Sequence, residues 1–500
     1  MSTINTNVSA LLGQRVLRQN NNTLKKSIER LSTGFRINRG ADDPAGFIAS
    51  EKLRSEKAQL SAAIGNAERA DQIVNIAEGG LSEVNSLLTE LQSLVTQTSS
   101  EAGLSTEEKE ANQLQIDAIL QTIDRIASTT SFQGTKLLNG GYDFQVANVD
   151  GDISDYKVNG AKIADGQTVD VTVTVLGSAQ HAGLLLSAGG TSIQLGGDPD
   201  DRFTFELAGA LGNRSFSFAS GATLSSVANS ITSFKSVTGV SATASGSLLI
   251  LKSTQYGSEQ FVSVDITAGG SDIAGSGIYS LSATDEAAVG SLVAAFSSAT
   301  APIRDEGQDV DAIINGVTAR GRGLRASVNT DVLDVSLTFT SSGATTLGSL
   351  TALTISGGGA RFNLGPTVDT NNQVRLGIQN VAARNLGDRS VGFLSELASG
   401  GSANVVDGSL EDAQKIVSEA IDQISSLRGR LGAFQKNVVG ATIRSLSINY
   451  ENISAAESAI RDTDFAKETA ELTRSQVLVN AASSALAIAN NLPTNVLQLI

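Results

Sequence analysis

The sequence predicts an α+β chain: a coiled-coil-like bundle of long helices formed by both termini, with one or two β-rich outer domains inserted between them. Three observations carry this expectation. Apolar residues recur at three-four spacing before about residue 139 and again after about 401. Between those stretches the period changes to two, and Gly, Asn, Asp and Ser punctuate the alternating runs.

In the first stretch, Leu24, Ile28, Leu31 and Phe35 share one helical face. So do Val84, Leu87, Leu91 and Leu94, and then Ile116, Ile119, Ile123 and Ile126. A helix with one apolar stripe must pair to bury it. The segment "RLSTGFRINRGADDPAGF" (30–47) interrupts the first helix. Gly34 and "NRG" loosen it, Asp43 is placed to cap the next one, and Pro44 sits where a first turn tolerates proline. No further proline occurs before about Ser100, and the glycines at 65, 79 and 80 do not force a stop. "EAGLSTEEKE" then offers Ser105 or Thr106 as a cap, with Glu108 in the first turn of a helix reaching about Ser128.

The middle alternates in "TVDVTVTV" (168–175), "RFTFEL" (202–207), "RSFSF" (214–218), "LLILKS" (248–253), "FVSVDI" (261–266) and "DVSLTFT" (334–340). Within it, "ATLSSVANSITSF" is a short helix candidate. After residue 401, Ser409 can cap, and Ile424, Leu427, Leu431, Phe434 and Val438 restore the helical rhythm. Asp462 is placed to begin a last helix running to about Asn491 and ended by "NNLP". The domains expected are 1–42, an N-terminal core helix and hinge; 43–139, a long-helix rod; 140–400, a β-rich surface-exposed region; 401–461, a C-terminal rod helix; and 462–500, a C-terminal core helix.

Several functional classes fall away on composition. A net charge of −15 opposes the sign a general nucleic-acid binder needs. There is no cysteine for a disulfide, thiolate metal site or thiol nucleophile. The one histidine, His181, has no G-x-S-x-G partner. No EF-hand or H-E-x-x-H spacing occurs, so no catalytic, cofactor or metal residue is expected and the protein reads as a non-enzyme. "TARGRGLRAS" (318–327) lacks interleaved aromatics and reads as local contact with acidic neighbours. The N-terminus has no continuous apolar h-region, so a cleaved signal peptide is not expected, and no run is long enough for membrane insertion.

The terminal helices are short of polar cover. Val477, Leu478, Ala481, Ala482, Ala485, Leu486, Ile488 and Ala489 wrap most of the last helix, followed by Val496, Leu497, Leu499 and Ile500. Left in water, such surface loses about 25 cal/mol per Å². Burial against other copies is the expectation, with packing inside one chain as the alternative. Residues 1–40 hold seven basic side chains against one acidic, Glu29, so contacts of opposite sign between copies of an acidic chain are available. A head-to-tail contact that does not close gives an open helical filament.

These residues resemble a known family. "ERLSTGFRINRGADDPAGFIAS" (29–50) is similar to the hallmark segment of bacterial flagellins, and the sequence from "LGAFQKNVVGATIRS" (431–445) to the end is similar to their C-terminal hallmark. In the middle, "YKVNGAKIADGQTVDVTVTV" and "TLSSVANSITSFKSVTGVSATASGSLLILKSTQYGSEQFVSV" resemble the insertion modules of larger flagellins and filament-cap proteins. The resemblance implies a structural subunit of the swimming filament: an extracellular homopolymer, exported by the flagellar type III apparatus without signal cleavage. It also implies an export chaperone on the C-terminal helices, and contacts with the filament cap and hook-associated proteins. A hook–filament junction protein and a filament-mounted adhesin remain the alternatives.

Carried over by position, Arg30, Leu31, Ser32, Gly34, Arg36, Ile37, Asn38, Asp42, Asp43, Ala45 and Gly46 match the N-terminal pattern, with Pro44 beside them. Asn38 and Asp43 are expected to satisfy backbone groups at the hinge, and the arginines to reach carboxylates of a neighbouring helix or copy. Gly46 costs about 1 kcal/mol in a helix unless close approach requires it. Phe434, Phe465, Val477, Leu486 and Leu497 are the expected assembly contacts of the C-terminal helices. One segment departs from the pattern. "LSEVNSLLTELQSLVTQ" (81–97), with Glu90, Leu91, Gln92 and Leu94, aligns with the part of some flagellins sensed by the vertebrate toll-like receptor. Sensed versions carry basic residues where this chain has Glu90 and Gln92, so weak activation is expected.

Overall fold

The structure, a computed structural model, describes residues 6–100, 103–164, 166–195, 202–269, 273, 277–282, 289–299, 301–330 and 332–497, with side chains described to residue 491. Its helices are α1 (Val8–Thr33), α2 (Pro44–Thr98), α3 (Thr106–Thr129), α4 (Leu224–Thr232), α5 (Lys235–Thr238), α6 (Ser341–Thr345), α7 (Leu410–Ala433), α8 (Gly440–Arg461) and α9 (Phe465–Leu497). Two compact units result. One holds Met1–Val74, Phe362–Gln373 and Gly432–Ile500; the other holds Asn75–Arg361 and Val374–Leu431.

In the first unit, α1 starts where the Asn7 side chain accepts the Ala10 amide and stops at Gly34, whose φ of 75° suits a residue without Cβ. Leu60 and Ala63 of α2 share a small core with Leu446 of α8. Beside that core, Glu457 receives Lys57 at 3.3 Å. A π-helical stretch, Phe434–Val439, precedes α8, and Phe434 packs against Phe362 with ring centres 5.9 Å apart.

The second unit begins with helix. Leu81, Val84, Leu88 and Leu91 of α2, Ile116 and Ile123 of α3, and Ile424 and Leu427 of α7 are all buried. Arg428 clamps Glu78 through Nε and Nη2, the closer contact at 2.7 Å, and Asn112 donates to Thr98 at 3.0 Å. Ser105 and Glu108 form a full capping box at the start of α3. The 130–139 stretch is not helical. A two-residue turn at Gln133 and Gly134, both with positive φ, joins the short strands Ser131–Phe132 and Thr135–Lys136.

The β region contains two antiparallel sandwiches, one nested inside the other. In the outer one, a five-stranded sheet centred on Val169–Gly177 faces a four-stranded sheet containing Leu333–Phe339, and Val171, Val173, Val335, Leu337 and Phe339 share one core. The inner one is inserted between Val169–Gly177 and Asp311–Ile314. It pairs a sheet centred on His181–Ser187 with one containing Arg202–Gly209, and α4 joins its core. Where the chain enters and leaves this insertion, Gln180 and Gln308 exchange backbone hydrogen bonds of 2.9 and 3.0 Å.

Two expected boundaries move. The last helix begins at Phe465 instead of Asp462: Asp464 accepts the amides of Ala466 and Lys467, while Asp462 bridges in extended form to Phe35. The same helix also continues past "NNLP" to Leu497. Proline removes one amide donor there, but its fixed φ is compatible with a helix.

Candidate assembly surface

The hinge is built from its own backbone outward. Asn38 donates through Nδ2 to the Phe35 carbonyl at 3.1 Å. Asp42 accepts the amides of Asn38 and Arg39, each at 3.2 Å, and receives Lys26 at 2.9 Å. The Lys26 hydrogen bond, helped by those amides, outweighs burial and holds the Asp42 carboxyl below its usual range. Asp43 caps α2 by accepting the Gly46 amide at 3.0 Å. Gly46 has the close approach that justifies it, since a Cβ there would lie 2.5 Å from Asp43 Oδ2 and 2.7 Å from Ile37 Cδ1. Ile37 itself is buried, and Pro44 opens the helix on the exposed side.

Long-range contacts then join the hinge to the C-terminal helices. Arg36 donates its amide to the Arg461 carbonyl at 2.7 Å and its Nη2 to Ile460 at 2.6 Å. Thr463 donates to the Gly34 carbonyl, and the Arg461 guanidinium lies over the Phe35 ring at 4.4 Å. Arg30 reaches buried Glu468 at 3.5 Å, and Glu468 Oε1 makes no hydrogen bond among the described residues. Sequence reasoning missed Lys26, Arg461 and Glu468 and gave Asp462 a capping role, because their partners are either hundreds of residues away or inside an irregular loop.

Part of the basic cluster is used within the chain. Four of the seven basic side chains are used within the chain: Lys26 on Asp42, Arg30 on Glu468, Arg36 on Asp43 and Arg39 on Glu29. Arg15, Arg18 and Lys25 make no ion pair with the described residues.

α9 packs along α1 through small residues. Ala10, Ser27, Ser475 and Ala482 are buried, Leu486 lies over Gly13, and Asn7 and Asn20 donate to the Ala489 and Leu478 carbonyls. The larger apolar side chains face outward. Phe465 is 57% exposed, Val477 61% and Ile488 66%, and Val8, Leu11 and Leu12 of α1 are likewise exposed. Packing within the chain therefore covers only one side of α9. Leu31 and Leu486 are half-buried, and Phe434 is buried on Phe362, apart from the hinge residues. The side chain of Leu497 and residues 498–500 lie outside the described residues. On α2, Leu91 and Leu94 are buried, Gln92 is half-buried and Glu90 is exposed.

Among the described residues no group of acidic and histidine side chains could hold a metal ion, and no helix is long and apolar enough to cross a membrane. The class defined here is a chain whose two ends pair as long helices, with a β-rich region between them in sequence and large apolar side chains left exposed on the pair. Residues 4–143 match the bacterial flagellin N-terminal helical region, 414–500 the bacterial flagellin C-terminal helical region, and 202–255 the flagellin hook IN motif. The last match spans strands Arg202–Gly209 to Leu248–Tyr256 of the inner sandwich, including α4. Similar along 99% of both chains are flagellin A of Helicobacter pylori, 27% identical, and flagellin C of Vibrio anguillarum, 28% identical. Flagellin B of Vibrio cholerae is 27% identical over the same share.

Among solved structures, FliC from Burkholderia pseudomallei is 15% identical, covering 73% of this chain and 99% of its own, with a TM-score of 0.24. The flagellar cap protein FliD from Escherichia coli is 12% identical, covering 72% and 74%, with a TM-score of 0.26. Scores that low leave the assignment resting on the sequence families and the end-to-end relatives. The chain belongs to the bacterial flagellins and is a structural subunit of the flagellar filament. Since the relatives matched end to end carry the flagellin name, the junction-protein and adhesin readings are set aside.

Proposed function

We propose that the α1–α9 pair and its hinge are the polymerisation element of this flagellin. The observation that carries the reading is the outward face of α9, where Val477 and Ile488 stand in solvent on a helix whose inner face is already occupied. Burying each against another copy contributes about 1.5–3 kcal/mol, and the contact recurs at every subunit added. The hinge residues Arg30, Gly34, Arg36, Asn38, Asp42, Asp43 and Gly46 fix the path of the chain between α1 and α2. They thereby set the angle at which that face is presented. Phe434, on this reading, anchors the C-terminal rod.

We further infer that the chain is exported by the flagellar type III apparatus without signal cleavage, while a chaperone shields the apolar C-terminal helices. At the filament ends its partners are the hook-associated and cap proteins. Weak activation of the toll-like flagellin receptor follows from Glu90 and Gln92, since a carboxylate and an amide replace the basic side chains of sensed versions. Full activation of reporter cells by purified monomer would overturn that.

The test of the main reading is seeded polymerisation of a Val477→Asp, Ile488→Asp variant, followed by light scattering and electron microscopy. The critical concentration should rise at least about a hundredfold, because burying the apolar face would now bury two carboxylates with it. Thermal melting of the sandwiches should be unchanged. Growth at the unmodified concentration would refute the proposal.

A further inference from the structure

We propose that the second unit carries a binding site for a small oxyanion, in a cavity of about 420 Å³ between the 320–329 hairpin and α7. The shared chemistry of its ligand is a phosphate, a sulfate or the carboxylate of an acidic sugar. Lys157, Arg322, Arg325 and Arg430 line the cavity, against the carboxylates Glu419 and Asp422. In a chain of net charge −15, four cations at one cavity need a reason.

Three features point to a missing anion. First, Arg322 and Arg325 stand directly opposite each other across the hairpin, and like charges in that register repel. Glu259 answers only Arg322, at 2.8 Å, and the Arg325 guanidinium makes no hydrogen bond or ion pair with a described residue. The expectation that this arginine-rich segment meets acidic neighbours thus holds by direct contact for Arg322, while Asp155 acts on Arg325 only through space. Second, Arg430 Nη1 is buried with no hydrogen-bond partner. Asp334 and Asp143 act on Arg430 only through space. One oxygen of each already accepts a hydrogen bond, from Asn159 at 3.1 Å and from the Phe144 amide at 2.8 Å. A buried charged donor without an acceptor is costly, and an entering oxyanion would relieve it. Third, Lys157 meets Glu419 only at 3.5 Å, and Asp155 and Asp388 act on it only through space.

The rest of the wall suits a hydroxylated ligand. Asn159, Ser336 and Gln379 supply neutral donors and acceptors around the cations. The volume is within the range of small-molecule sites, so a monosaccharide acid fits as well as a bare anion.

Calorimetric titration of the full-length monomer, held below its polymerising concentration, tests this. The probes are sodium phosphate, sodium sulfate and sodium glucuronate at constant ionic strength, with chloride as the control. Saturable one-to-one binding of at least one probe is expected. Response to phosphate or sulfate identifies an inorganic oxyanion site, and response to glucuronate alone identifies a sugar carboxylate site. Arg325→Gln and Arg430→Gln should each weaken binding by at least about tenfold. Arg325 is solvent-exposed, so its variant keeps the test decisive if Arg430→Gln folds poorly. No saturable heat beyond chloride for any probe, or an isotherm unchanged by Arg325→Gln, would overturn the site.

Discussion

The two sandwiches and the α1–α9 pair hide their apolar side chains in opposite ways. In the sandwiches the largest residues are fully enclosed: Phe205 in the inner core and Phe339 in the outer one. In the helical pair the enclosed residues besides Glu468 are the small Ala10, Ser27, Ser475 and Ala482, and large apolar ones such as Val477 and Ile488 face water. One region completes its core alone; the other leaves it to be completed. Substitutions should therefore register differently: in the sandwiches as reduced folding stability, on the helices as impaired assembly.

The failure of polymerisation in the Val477→Asp, Ile488→Asp variant is the largest effect expected and would break the contrast if absent. Next comes Phe205→Ala. Emptying its place in the inner core should destabilise that sandwich by about 3–5 kcal/mol in urea unfolding, with seeded growth at 25 °C retained. If growth failed equally, the two regions would not be independent. Gly46→Ala sharpens the comparison at the hinge. The added methyl must displace Asp43 and Ile37, which should cost about 1–3 kcal/mol and raise the critical concentration while leaving the sandwich transition unmoved.

The smallest effect is one of pH. Because the folded state holds the Asp42 carboxyl below its usual value, its contribution is fully present above about pH 4. It fades as pH falls through the lowered folded value. Asp42→Asn should flatten that part of the acid profile, read as exchange protection of the Asn38 and Arg39 amides, which the carboxylate accepts.

Legibility in the sequence followed the range of the interactions. Gly34, Asp43 with Pro44, and Ser105 with Glu108 mark helix ends by chemistry within four residues, and α1, α2 and α3 start or stop there. The alternating runs likewise fall on strands. Asp462 misleads because two acidic residues compete for one cap, and the decision rests on its bridge to Phe35, more than four hundred positions away. The basic cluster of residues 1–40 gave no sign that Asp42, Asp43 and Glu468 would take three of its seven side chains. Nor did alternation disclose that one sandwich lies inside another, since every strand shows the same period whichever sheet it joins. The exposed face of α9 was legible from composition alone, because a helix apolar on most sides has no way to bury all of them on one partner.

The reciprocal Gln180–Gln308 pairing has a consequence for changes in chain length. It closes the neck of the inner sandwich, so the 181–307 segment leaves the outer sheet and returns to it at the same point. Parts of the segment other than the contacts that Tyr256, Ser258 and Glu259 make with the outer sandwich can change in length while the strands on either side keep their register. Such a neck makes the segment a cassette whose distant loops can change without disturbing the pairing at its base.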